Sequence, residues 1–180
     1  MAIETIPFRS TDNSSWTAVG AATDHEATAV SNGDTQYVRS EANGNCTLDR
    51  IIMGRRAKSI NSVTLRHESK NEGVSGSRLR PRIRYNNAGT QTGSNATPTS
   101  SYVVYDSVVL TNQETAAAFT RDEINGIGTT GINNIIYNMN NAVVSSFLRM
   151  TYCTFIVDFE PAAQANSMGM TQTMNGGFHG

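Results

Sequence analysis

Between Arg78 and Tyr85 the chain alternates without a break, with Arg78, Arg80, Arg82 and Arg84 on one parity and Leu79, Pro81, Ile83 and Tyr85 on the other. Successive side chains of a strand point to opposite faces, so this stretch is a strand with one wet side and one dry side; no 3.6-residue period fits it. Ser59 to His67 repeats the pattern, setting Val63, Leu65 and His67 against Ser62, Thr64 and Arg66. If both strands lie in one sheet, its apolar side needs a second layer and its outer side carries a row of arginines. Their connection, Glu68 to Ser77, contains Gly73 and Gly76 and reads as a hairpin-like return. Pro81 cannot donate to a ladder, which places its strand at an edge or a bulge.

The rest of the chain supplies the second layer. Asn32-Gly33-Asp34 is a turn signal before a short strand at Thr35 to Ser40, and Asn43-Gly44-Asn45 is another before a strand at Cys46 to Met53. Tyr102 to Leu110 reads as a further strand. Val143 to Phe159 is apolar on both parities, as a central strand should be, with a bulge that switches its register. Thr120 and Glu123 have capping-box spacing, which predicts one helical turn ended by Gly126. Trp16, the only tryptophan, reads as a core anchor. About eight short strands, one helical turn and many turn signals make an all-β sandwich or barrel.

The domain reading is an N-terminal arm over 1–15, a β-sandwich over 16–160 and a Met/Gly-rich arm over 161–180. Ile3, Ile6 and Phe8 in the first arm, and Met168, Met170, Met174 and Phe178 in the second, are candidate docking residues. The polar segment Asn86 to Ser101 is long enough to be either mobile or held by a neighbouring subunit. No apolar run could span a bilayer, and Met1 to Arg9 lacks the apolar core of a secretory signal, so no membrane and a cytosolic origin, or assembly inside a host cell, are expected.

The 180 residues carry a net charge of −1, unevenly spread. Arg50 to Arg84 holds ten Lys/Arg against Glu68 and Glu72, a local +8, while the flanking segments sum to −5 and −4. With twelve arginines to two lysines, the basic strands suit a persistent interface, and Arg66, Arg78, Arg80, Arg82 and Arg84 are its candidate residues. Nucleic acid is disfavoured because Tyr85, the nearby aromatic residue, lies on the parity opposite the arginines.

Nothing points to catalysis. There is no phosphate-binding loop, no cofactor motif and no metal-ligand spacing; His25, His67 and His179 are far apart in sequence, and Cys46 and Cys153 read as buried thiols. His25 is flanked by Asp24 and Glu26, but adjacent residues on an extended chain point apart. His67 shares the inward parity of Val63 and Leu65.

The order of features resembles tailed-bacteriophage virion structural proteins built as jelly-roll-like β-sandwiches. The pieces that carry the likeness are Trp16, Asn32-Gly33-Asp34-Thr35-Gln36-Tyr37-Val38, Ile60-Asn61-Ser62-Val63-Thr64-Leu65-Arg66, Phe119-Thr120-Arg121-Asp122-Glu123-Ile124-Asn125 and the strand Val144 to Phe159. Phe119 stands where that pattern usually has tryptophan. The resemblance implies a non-enzymatic particle subunit located in the virion, a capsid decoration protein first and a tail-completion or baseplate subunit second. It also implies copies of itself and major capsid or tail proteins as partners. A carbohydrate- or receptor-binding module is the alternative from another class; it would present exposed aromatics on a loop, and Asn86 to Ser101 has none.

Overall fold

The computed structural model describes residues 1–11, 14–40, 44–49, 51–73, 76–140 and 147–163. In chain order the elements are β1 (Ala2–Ile6), β2 (Ser10–Thr11), β3 (Thr17–Val19), α1 (Asp24–Ala27), β4 (Tyr37–Ser40), β5 (Gly44–Asp49), β6 (Ala57–Glu72), β7 (Arg78–Tyr85), β8 (Thr90–Thr92), β9 (Val103–Val109), α2 (Arg121–Ile124), β10 (Ile132–Asn140) and β11 (Phe147–Pro161). They form two antiparallel sheets: β3-β4-β11-β6-β9, with β1 also paired to β11, and β2-β5-β10-β7-β8. The chain is an all-β, jelly-roll-like β-sandwich with little helix.

Alternation decides which side chains fill the space between the sheets. From β6 come Val63, Leu65 and His67, from β11 Cys153, Phe155, Val157 and Phe159, from β7 Leu79, Ile83 and Tyr85, and from β10 Ile135, Tyr137 and Met139, all buried. Each fully buried large apolar side chain contributes about 1.5–3 kcal/mol relative to exposure. Tyr137 reaches across the layers, its hydroxyl donating to the Arg66 carbonyl at 3.2 Å. Trp16 and Phe119 are both in the core. The register of β11 shifts between Met150 and Tyr152, which keeps Met150 and Cys153 on the inner face despite their odd separation.

Three sequence expectations need correction. First, β6 and β7 do not share a sheet: β11 and β9 occupy both edges of β6, so the chain leaves that layer after Glu72 and β7 joins the opposite one. Second, β7 is flanked on both sides. The Pro81 carbonyl accepts from Gly93 N at 2.9 Å, so its missing N–H faces the β8 side, just beyond the Arg82–Thr92 pair where that ladder ends. Third, Asn86 to Ser101 packs on its own sheet, through β8 and reciprocal Leu79–Ala96 backbone bonds of 2.8–2.9 Å.

The helical turn α2 carries the expected capping box, with Thr120 and Glu123 bonded reciprocally. The turn α1, capped by Thr23, was not foreseen. β1, within the stretch expected to be an arm, pairs with Ile156, Val157 and their neighbours in β11.

Candidate binding face

The outer face of the second sheet gathers the arginine row into cross-strand ranks. Register aligns Asp49, Asn134, Arg84 and Thr90 in one rank, Thr47, Ile136, Arg82 and Thr92 in the next, and Asn45, Asn138 and Arg80 in a third. Arg78 ends the row beside Asn140. Neighbouring strands lie about 4.8 Å apart and residues rise about 3.3 Å each, so the row runs about 20 Å along β7 and the ranks about 15 Å across.

The side chains of this face are partly fixed. Asn138 Nδ2 donates to Asn45 Oδ1 at 2.7 Å, and Arg80 Nε donates to Asn95 Oδ1 at 2.8 Å. Arg82 is half-buried, and its Nε is shielded from solvent with no hydrogen-bond partner. Arg78 and Arg84 are exposed. At the Asp49 end the face runs into a cleft of about 460 Å³ lined by Asp49, Ile51, Ile52, Asn86, Asn125 and Asn133 among others. Two of its amides brace the walls: Asn125 Oδ1 accepts from Met53 N at 2.6 Å, and Asn86 Nδ2 donates to the Gly126 and Gly128 carbonyls at 2.8 Å.

The outer face of the first sheet is built differently, because its cations are already matched. Arg66 makes a two-point pair with Asp106, 2.7 Å at each contact, so it stands apart from the β7 arginines on the other side of the sandwich. Arg149 bonds Glu72 at 2.6 Å and Asp34 at 2.8 Å, and Lys70 bonds Asp34 at 2.6 Å. Aromatic rings there are capped: Arg149 lies over Tyr37, Arg39 over Phe147 and Lys70 over Tyr102, at 4.1–4.7 Å. The Lys70 and Arg66 interactions hold the Asp34 and Asp106 carboxyls below the usual range.

The other sequence candidates fall as follows. Ile6 and Phe8 are buried in the chain's own core, whereas Ile3 is 61% exposed. Met168, Met170, Met174 and Phe178 lie outside the described residues, as does His179. His67 is 1% exposed between the rings of Tyr105 and Tyr137, and burial pushes its pKa down to about 3. Burial also raises both thiols, Cys153 to about 12 and Cys46 well above its ordinary value. His25 Nδ1 meets the Thr23 hydroxyl at 2.9 Å. Among the described residues, no cluster of three or more His, Cys, Asp or Glu could hold a metal ion, and no helix is long and apolar enough to cross a membrane. His67 and both thiols are sealed in the core and uncharged at neutral pH.

Sequence reasoning did not single out Asn134 or Asn138 and took Asn45 only as part of the Asn43-Gly44-Asn45 turn. The signal was present in the alternation of Asn134, Ile136 and Asn138 with Ile135, Tyr137 and Met139.

No family model and no curated protein matches the chain. Solved structures that match it include a family 29 carbohydrate binding module, 12% identical with a TM-score of 0.46, covering 87% of this chain and 90% of that one. A variant of CBM29-2 complexed with mannohexaose is 11% identical, with a TM-score of 0.46 and coverage of 86% and 91%. The CBM22-1 xylan-binding domain from Paenibacillus barcinonensis Xyn10C is 9% identical, with a TM-score of 0.46 and coverage of 89% and 87%. These carbohydrate-binding neighbours overturn the resemblance to phage virion proteins, and with it the capsid-decoration and tail readings and the capsid, tail and self-assembly partners. At such identities and TM-scores the matches assign no ligand to this chain.

Proposed function

We propose that the chain is a polysaccharide-binding module that uses the outer face of β5, β10 and β7. The observation that carries this reading is the ranked array of guanidinium, amide and hydroxyl groups, Arg80, Arg82, Asn45, Asn138 and Thr92, set on adjacent strands. Planar groups with several donors and acceptors suit the vicinal hydroxyls of sugars, which need paired hydrogen bonds at fixed spacing. An array about 20 Å long accommodates a stretch of extended polymer better than a single small molecule. Strand-borne side chains hold their spacing, so little ordering entropy opposes binding.

The opposite face offers fewer sites, since Phe147, Tyr37 and Tyr102 are covered by Arg39, Arg149 and Lys70, and Asp106 is paired with Arg66. Electrophoresis through gels carrying soluble polysaccharides tests the reading. At least one polysaccharide should retard the protein, Asn138→Ala should relieve that retardation, and Tyr152→Ala on the first sheet should leave it unchanged. Free migration of the folded protein through every polysaccharide would overturn the reading.

A further inference from the structure

We propose that the polysaccharide is acidic, its carboxylate or sulfate groups held by Arg78, Arg80, Arg82 and Arg84. This rests on the polysaccharide-binding reading and adds the charge of the ligand. The two faces of the sandwich treat their cations in opposite ways. Arg66, Arg149, Lys58 and Lys70 on the first sheet each have a carboxylate at 2.6–2.9 Å. Among the described residues, no carboxylate lies within 4.0 Å of any of the four β7 arginines; Arg80 bonds only the neutral Asn95.

Alternate positions on a strand are about 6.7 Å apart, so four like charges stand in file. Among the described residues, Asp49, at one end of the ranks, is the only carboxylate that register brings into them. Such a file repels itself unless anions neutralise it, and a chain with a net charge of −1 has acid groups that could have been placed there. A polyanion with charges at regular intervals supplies the missing partner, and guanidinium groups bind carboxylate and sulfate through paired N–H donors. With Arg82 Nε shielded and unbonded, its terminal nitrogens are what remain for a ligand.

A glycan fits better than a nucleic acid because neutral donors interleave with the charges. Asn138, Asn45, Thr90 and Thr92 share the ranks, and among the described residues register brings no aromatic ring into them to stack a base.

The test runs the full chain through gels containing polygalacturonate, dextran sulfate, neutral glucomannan or single-stranded DNA, at low and high salt. The variants are Arg80→Gln with Arg82→Gln, and Arg66→Gln as the opposite-face control, each checked by thermal melting. Supporting results are retardation by polygalacturonate or dextran sulfate that weakens at least tenfold in the double variant, weakens with salt and survives Arg66→Gln. The arm that responds more strongly identifies carboxylate or sulfate as the preferred anion. Retardation by glucomannan alone, indifferent to the arginines, would overturn the acidic ligand and leave the polysaccharide reading standing. Equal or stronger retention by DNA would overturn it in favour of phosphate-backbone binding, and no retention in any gel would overturn both readings.

Discussion

His67 makes acid sensitivity a property of the core. Its ring is sealed between Tyr105 and Tyr137, its Nδ1 has no hydrogen-bond partner, and burial pushes its pKa down to about 3. In the unfolded chain the same imidazole titrates near 6.5. Above that value both states are neutral and the group contributes no pH dependence. As pH falls from 6.5 towards 3, only the unfolded state takes up the proton, so stability declines at a slope approaching about 1.4 kcal/mol per pH unit. Between pH 7 and pH 5 the loss integrates to about 2 kcal/mol, a large fraction of the about 5–15 kcal/mol that holds a domain together. Urea unfolding of the wild type and of His67→Leu at both pH values isolates this effect. Asp24, whose pKa burial raises, and Asp34 and Glu160, whose ion pairs lower theirs, are common to both proteins and cancel in the comparison. Asp106 is the one charged group coupled to the ring. The variant should lose about 2 kcal/mol less than the wild type over this interval. Equal losses in the two proteins would refute the claim that the buried ring stays neutral.

Three further outcomes follow from local geometry. Glu123→Ala removes acceptors from the Thr120 backbone at 2.8 Å, buried Asn112 at 2.9 Å and Thr130 at 3.0 Å. It should destabilise the protein by about 2–4 kcal/mol in urea, combining a lost cap with the loss of one of the two acceptors of the buried Asn112 amide, which keeps its bond to the Thr130 carbonyl. Cys46 and Cys153 are buried with raised pKa values, so a thiol-reactive dye at pH 8 should label neither until denaturant is added; rapid native labelling would contradict the packing. Asp106→Asn breaks the Arg66 pair, whose side chains are each 39% exposed, and should cost under about 1 kcal/mol by thermal melting.

Much of the fold was legible because alternation is a local signal. The parities of Arg78 to Tyr85 and of Val63 to His67 sorted inner from outer residues, and Thr120 with Glu123 announced their capping box. What alternation cannot encode is partnership. Which sheet β7 joins depends on β9 and β11 having filled the edges of β6, a competition among distant segments. The four-residue turn α1 shows no period because it is too short to have one; the Thr23 cap was its only mark. Arg66 was grouped with the β7 arginines by proximity in sequence, yet it faces the other side of the sandwich, beside Asp106. The phage resemblance failed because turn dipeptides, alternating strands and a capping box serve any sandwich, whatever it binds.

The ladder between β1 and β11 joins Ala2 to Phe159 and Ile6 to Phe155, so β1 waits for a partner about 150 residues further along the chain. During synthesis β11 leaves the ribosome only after every other strand of the sandwich has emerged. Folding dominated by such distant pairings is slow, in the range of about milliseconds to seconds. A nascent chain halted before Phe147 would leave Val38, Leu65 and Ile6 without the strand that covers them, making truncated products ready substrates for chaperones and proteases.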